Sequence, residues 1–410
     1  MYTYHMKEML YVTTCKKTLI KISLYGSLFL MGLLVSLLPH IIINKEQKTQ
    51  MKRFPTDLKY VLFWYPDKNR RKAITNSTEF PVGQTAFIDQ KCPYVNCYIS
   101  YNKSILADES NFDAIVFNAQ DISRMSLLNL TLPRSPEQKY IFRSQDPAEK
   151  HPVCHRIFED FFNLTWTYKL NSDIPQPFIN IYDKTNKLIG PRRSVIWIEK
   201  MNHSDSFRNK IEGKNKAVAW IVTKCRTKNS YSDFINELRS ELKGYNFTLD
   251  IFGPCGDMKC PGQSIYSCYK MMEKKYFFQL VVEDAMCEDY VTEKVVKALT
   301  HFIIPIVYGG ANYTRFLPPG SYLNFQEFGI KKLGAIVDFL IRSPQTYDYL
   351  FDWKNHYTYS VKPRSDICDL CTKLNDNEVS PPRHHFRHWW YSDYKDVCDR
   401  LKIMTLLNWK

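Results

Sequence analysis

FFQLVVEDAMCEDYVTEKVVKALTHFIIPIVYGGANYTRFLPPGSYLNF, residues Phe277–Phe325, is the stretch on which the reading of the fold turns. Phe277–Val282, interrupted only by Gln279, and Phe302–Val307 are apolar runs of strand length. Neither alternates polar with apolar, which suits strands buried on both faces of a parallel sheet. Between them, Tyr290–Thr300 sets Val291, Val295, Ala298 and Leu299 on one helical face, with Asp289 before it as N-cap. A strand–helix–strand unit crosses over right-handed. It therefore presents its polar loop at the carboxyl edge of the sheet, where open α/β sheets bind ligands. Glu283, Asp284, Asp289, Tyr290, Thr292, Glu293 and Lys294 fall there. Free N–H groups at a helix start and the Lys294 charge favour phosphate oxygens. A carboxylate such as Glu293 would accept from sugar hydroxyls, or it decorates a solvated helix face.

EDAMCEDYVTEK, followed by IPIVYGGANYTRFLPPGSYLNFQEF, resembles the donor-binding segment of the α1,3-fucosyltransferases, glycosyltransferase family 10, in an insect-like form. FNLTWTYKLNSDIPQPF at Phe162–Phe178 is a second signature, and the likeness runs from about Lys59 to His356. The resemblance implies two Rossmann-like lobes of the GT-B type and inverting, metal-independent transfer of fucose from GDP-fucose to a glycoprotein glycan acceptor. It implies a Golgi location and no required cofactor. On the donor side it implies Glu283, Tyr290, Glu293 and Lys294; on the acceptor side, Lys169 and Asp173.

Three positions depart from the family pattern. The family's catalytic base is a Glu in a Glu-x-Pro motif, and the matching stretch, Ser144–Pro147, has Gln145 at that position. A carboxamide orients a hydroxyl but does not take its proton. The adjacent Asp146 would point to the opposite face of an extended strand, so it substitutes only if the local backbone differs. An Arg that contacts the donor phosphates in relatives falls at Tyr231 on one alignment of TKCRTKNSYSDF. The family's Asn after the first Glu is Asp284, an added negative charge. Two readings stand: an active transferase, and a catalytically impaired paralogue that binds glycan, nucleotide-sugar or an active partner.

The chain of 410 residues exceeds the usual single core, and 44% hydrophobic with 15% aromatic content marks a folded protein. Residues 1–21 carry Lys7, Lys16, Lys17 and Lys21. Residues 22–43 are apolar over about a bilayer's width and read as a signal anchor with the C-terminus lumenal. A polar stem covers 44–56. An acceptor-side lobe covers 57–209, with strands at Tyr60–Trp64, Ala114–Phe117, Tyr140–Arg143 and Val195–Ile198. A donor-binding lobe covers 210–357, and a cysteine-containing tail 358–410.

Asn-x-Ser/Thr sequons at Asn76, Asn102, Asn129, Asn163, Asn202, Asn246 and Asn312 fit a lumenal surface. So do the 12 cysteines. Cys92, Cys97, Cys255, Cys260, Cys268, Cys287, Cys368 and Cys371 are disulfide candidates. With Cys15 cytoplasmic, an odd number remains, so at least one is free or bonded to another chain. CDLC at Cys368–Cys371 has no partner CxxC, which disfavours zinc. No Asp-x-Asp occurs, the pair with which many transferases hold a metal. The net charge of +14 is spread rather than striped, which argues against nucleic acid. Self-association to a homo-oligomer is left open.

Overall fold

The computed structural model describes residues 58–65, 80–123, 134–204, 207–225, 231–361, 366–376 and 381–407. The anchor and stem expected at 22–43 and 44–56 lie outside them. Among the described residues, no helix is long and apolar enough to cross a membrane. Asp57–Lys103 and Glu109–Lys410 form one compact unit; Ser104–Asp108 lies outside it and is a run of turns and bends.

The protein is α/β and built on two parallel sheets. The first contains β1 (Lys59–Trp64), β2 (Cys97–Ser100), β3 (Ala114–Asn118), β4 (Lys139–Ser144), β5 (Leu164–Thr167) and β6 (Ile174–Pro175), in the order β2-β1-β3-β4-β5-β6. A small antiparallel sheet joins β7 (Asn180–Asp183) and β8 (Leu188–Gly190) to β14 (Tyr357–Ser360). The second parallel sheet contains β9 (Lys216–Ile221), β10 (Leu249–Phe252), β11 (Tyr276–Val282), β12 (Ile304–Tyr308) and β13 (Leu323–Asn324), in the order β10-β9-β11-β12-β13.

The apolar runs have the cause expected of them. In β11, Phe278, Leu280 and Val282 enter one core with helices α1 (Ser232–Gly244) and α2 (Phe325–Arg342). Val281 faces the other way, onto Val295, Val296, Ala298 and Leu299 of α3 (Glu293–Thr300). Both faces of the strand are buried, and the one polar residue in the run, Gln279, is buried with them.

Helix α4 (Asp366–Asn375) returns to the first sheet. Cys368 and Cys371 lie one turn apart on one face of it. They close disulfides with Cys92 and Cys97, so they do not form a zinc pair. Cys154–Cys398, Cys225–Cys255 and Cys260–Cys268 are the other bonds. Cys287, expected among the disulfide candidates, is instead a buried free thiol, because no second sulfur reaches it.

Two elements differ from expectation. Val195–Ile198 is a loop, not a strand: Ile196 is 91% exposed, and Trp197 is tied down by donating its Nε1–H to the Thr314 carbonyl at 2.7 Å. The helix expected at Tyr290 begins only at Glu293. Asp289 has a φ of 59°, outside the extended range of an N-cap. The apolar run at Phe302 likewise becomes strand only from Ile304, since Phe302 turns the chain with a φ of 48°.

Candidate functional site at the facing carboxyl edges

Glu283 follows β11 directly, and its side chain is wholly buried. Its two carboxylate oxygens accept from the Thr292 backbone N–H (2.9 Å) and hydroxyl (2.7 Å). Burial raises its pKa to about 7, against the pull of Lys294 and the Thr292 bonds. Glu283 thus fixes the loop from Asp284 to Thr292 rather than reaching into solvent. The glycines of the VYGG turn allow this packing. A Cβ on Gly309 would stand 2.5 Å from the Tyr313 hydroxyl and 3.0 Å from Glu283 Cγ, and one on Gly310 would stand 2.5 Å from the Met286 carbonyl carbon.

Lys294, in the first turn of α3, folds back over the end of the strand. Its ammonium donates to the Val282 carbonyl (3.0 Å) and to Asp284 Oδ1 (2.7 Å). Lys224 approaches Asp284 Oδ2 at 3.5 Å, so two lysines share one carboxylate. Burial and these pairings act oppositely on Asp284, and the lysines prevail in lowering its pKa. Tyr231 stands over the same edge; its hydroxyl donates to the Glu283 carbonyl at 3.3 Å, and burial pushes it up to about 12. Tyr290 packs edge-on between Tyr168 (5.2 Å) and Phe178 (5.5 Å), and burial raises its pKa above the usual phenol range. Glu293 is exposed, and its charge reaches Tyr269.

The first sheet meets this edge with its own carboxyl end. After β4, Gln145 is half-buried. Asp146 accepts from His151 Nε2 (3.0 Å) and Lys150 Nζ (2.5 Å), and these bonds, led by His151, lower its pKa to about 2 against the effect of burial. After β5, Lys169 donates to the Trp389 carbonyl (2.6 Å) and pairs with Glu288 (3.0 Å). Asp289 accepts from the Leu170 N–H (3.0 Å) and from Arg315 (2.9 Å). The Cys287 thiol lies against the Tyr168 hydroxyl and the backbone of Ala148 and Glu149. Asp173 lies apart from this seam in role: it binds Thr165 through N–H (2.8 Å) and hydroxyl (2.7 Å) and pairs with Arg383 (3.1 Å), which locks β5.

The structure therefore brings Glu283, Lys294, Tyr231, Tyr290, Gln145, Asp146 and Lys169 to two facing edges. Arg315, Glu288, Tyr168 and Glu149 were not singled out from the sequence. Arg315 lies within the quoted NYTRF stretch, but its pairing with Asp289 leaves no local signature. Among the sequons, Asn202, Asn246 and Asn312 are exposed, whereas Asn163 accepts from the Tyr140 N–H (2.8 Å) and from Arg134. Asn102 is half-buried, and Asn76 and Asn129 lie outside the described residues.

An α/β protein that gathers lysines, tyrosines and carboxylates between two carboxyl sheet edges has the make-up of a transferase for phosphorylated, hydroxyl-rich substrates. Residues 211–390 match the family model for glycosyltransferase family 10 (fucosyltransferase), C-terminal part, and residues 56–179 match the fucosyltransferase N-terminal model. Alpha-(1,3)-fucosyltransferase C of Drosophila melanogaster is 33% identical over 312 residues, covering 73% of this chain and 70% of that protein. Glycoprotein 3-alpha-L-fucosyltransferase A of the same organism is 26% identical over 334 residues, covering 80% of this chain and 59% of its own. A solved α1,3-fucosyltransferase with GDP-fucose aligns over 80% of this chain and 93% of that one, at 14% identity and a TM-score of 0.42, a likeness too distant to carry weight. The chain belongs to glycosyltransferase family 10, the fucosyltransferases.

Proposed function

We propose that this protein transfers L-fucose from GDP-fucose, with inversion, in α1,3 linkage to N-acetylglucosamine of glycoprotein N-glycans or related glycans. The observation that carries this reading is the end of β11, where Lys294, Lys224 and Tyr231 converge on one sheet edge beside the opposing first-sheet loops. Both lysines can exchange Asp284 for a diphosphate. The two parallel sheets support a GT-B division into lobes at 57–209 and 210–357, with 358–410 folding back on the first.

The donor is held by protein charge and needs no metal on this reading. Equilibrium GDP binding should withstand excess chelator and weaken as salt rises, because partly exposed charges are screened. Binding that chelator abolishes and Mn²⁺ restores would sink the metal-independent reading. We place the chain in the Golgi membrane, anchored through residues 22–43 with the sheets lumenal, as the apolar span and the exposed sequons support. Mass spectrometry of a glycoprotein acceptor incubated with GDP-fucose should show added deoxyhexose. GDP binding without transfer would leave a glycan- or nucleotide-binding protein instead.

A further inference from the structure

Displacement of a diphosphate by a sugar hydroxyl requires a group to take that hydroxyl's proton. The carboxylates around the seam are nearly all committed elsewhere. Glu283 is buried on Thr292, and Asp284 is paired with two lysines. Glu288 faces Lys169 and Arg315, and Asp289 is held by Arg315 and the Leu170 N–H. Asp146 is fixed by Lys150 and His151. Gln145 has no carboxylate.

Glu149 differs from all of these; Glu293, at the head of α3, is likewise exposed, but its charge reaches Tyr269 rather than the first sheet's loops. It sits in the turn Ala148–Lys150 that follows β4, on the first sheet's carboxyl edge. It is exposed, and among the described residues no hydrogen bond or ion pair engages its carboxylate. The turn is docked onto the second sheet's loop through the backbone contact of Ala148 and Glu149 with Cys287. The Glu149 charge acts on Tyr231, whose hydroxyl bonds the Glu283 carbonyl after β11, and on Cys287 and Tyr391. A carboxylate in this place is accessible to an acceptor and faces the proposed donor edge.

We infer that Glu149 is the proton acceptor of the transfer, an assignment that rests on the transferase reading above. The acceptor O–H bond breaks as its oxygen bonds to the anomeric carbon of fucose, and the proton passes to a Glu149 carboxylate oxygen. The bond from the anomeric carbon to the diphosphate oxygen breaks, and its electron pair leaves with GDP. Gln145, four residues upstream on the same edge, can orient the acceptor hydroxyl through its carboxamide.

The test uses the full-length chain with GDP-fucose and a glycoprotein acceptor, measuring rate across pH alongside equilibrium GDP binding and thermal unfolding. Glu149→Gln should lower kcat by about 10²- to 10⁴-fold, leave GDP affinity and the unfolding midpoint unchanged, and remove one acidic limb from the fall in rate toward low pH. The ionisable groups around it are Asp146, Lys150, Tyr231, Cys287 and Tyr391, with Glu283 and Asp284 also acting on Tyr231; these carboxylates remain in the variant, so the diagnostic is the limb lost relative to wild type. Glu212→Gln, an exposed carboxylate preceding β9 at the opposite edge, should keep the wild-type rate. Wild-type kcat in Glu149→Gln, or a lowered rate with the low-pH fall intact, overturns the assignment and returns Glu149 to solvated surface. A wild-type chain that neither binds GDP nor transfers fucose overturns the transferase reading itself.

Discussion

Lys294 pairs with Asp284 at the edge proposed for the donor phosphates, so donor and carboxylate compete for one ammonium. Lys294→Ala should weaken GDP binding by about 2–3 kcal/mol, roughly 30- to 150-fold. Asp284→Asn should strengthen it, by about fivefold at most, because the displaced pair is partly exposed and worth about 1 kcal/mol or less. Calorimetric titration with GDP reads both, and opposite signs are the diagnostic result. Glu283 makes a separate prediction. Burial sets its folded pKa at about 7 against 4.5 for a free glutamate, so the folded state keeps a proton the unfolded state has released between those values. Its contribution is therefore fully present below pH 4.5 and is lost as pH rises through 7. Denaturant midpoints of Glu283→Gln should vary less with pH over that window than those of the wild type.

Gly309 and Gly310 let the turn after β12 lie directly on the loop after β11. Gly310→Ala would force a Cβ to 2.5 Å from the Met286 backbone, which cannot swing aside as a side chain can. Overpacking of this kind costs about 1–3 kcal/mol. The Asp284–Cys287 loop should move with it, so GDP affinity and the unfolding midpoint should fall together. The runs that form β11 and β12 could be read from sequence because burial on both faces leaves a continuous apolar signal. The same signal misled at Val195–Ile198, where a short apolar run is held by Trp197 and its neighbours without strand pairing. The true start of α3 is not legible because Asp289 serves Leu170 across the seam and Arg315 on its own side, not its own helix. That contact joins residues 119 apart, a separation no local pattern records. Lys294 and Glu283 adjoin a readable helix start and strand end and lie at the edge, whereas Tyr231 rests on an alignment of TKCRTKNSYSDF and no local pattern puts it there. Glu149 was passed over because an isolated acidic residue in a turn resembles any solvated glutamate.

At the level of the molecule, disulfides bind segments that sequence separates widely. Cys97–Cys371 spans 274 residues and Cys260–Cys268 only 8. Loop-closure entropy makes the first of the two long bonds worth more, about 5 kcal/mol in the chain-entropy model against roughly 2–3 for the short one, while with Cys92–Cys368 in place Cys97–Cys371 closes only a short further loop. Replacing Cys92, Cys97, Cys368 and Cys371 together by Ser should therefore lower the denaturant midpoint more than Cys260→Ser with Cys268→Ser. Peptide mapping without reductant should recover Cys92–Cys368 and Cys97–Cys371 and find Cys287 as the thiol that alkylates only after unfolding.

Helix α4 also sets a timetable for synthesis. β2 and the core around it reach their bonded form only after Cys371 has left the ribosome, 274 residues behind Cys97. At roughly 5–20 residues per second, that wait is about 15–55 s. Throughout it Cys92, Cys97 and Cys154 are exposed to one another without their partners. The amino-terminal sheet is thus finished last, and its maturation should depend on thiol–disulfide isomerisation. A nascent chain stalled with residue 361 just emerged should leave the first sheet open to protease while the segment from β9 to β13 resists it.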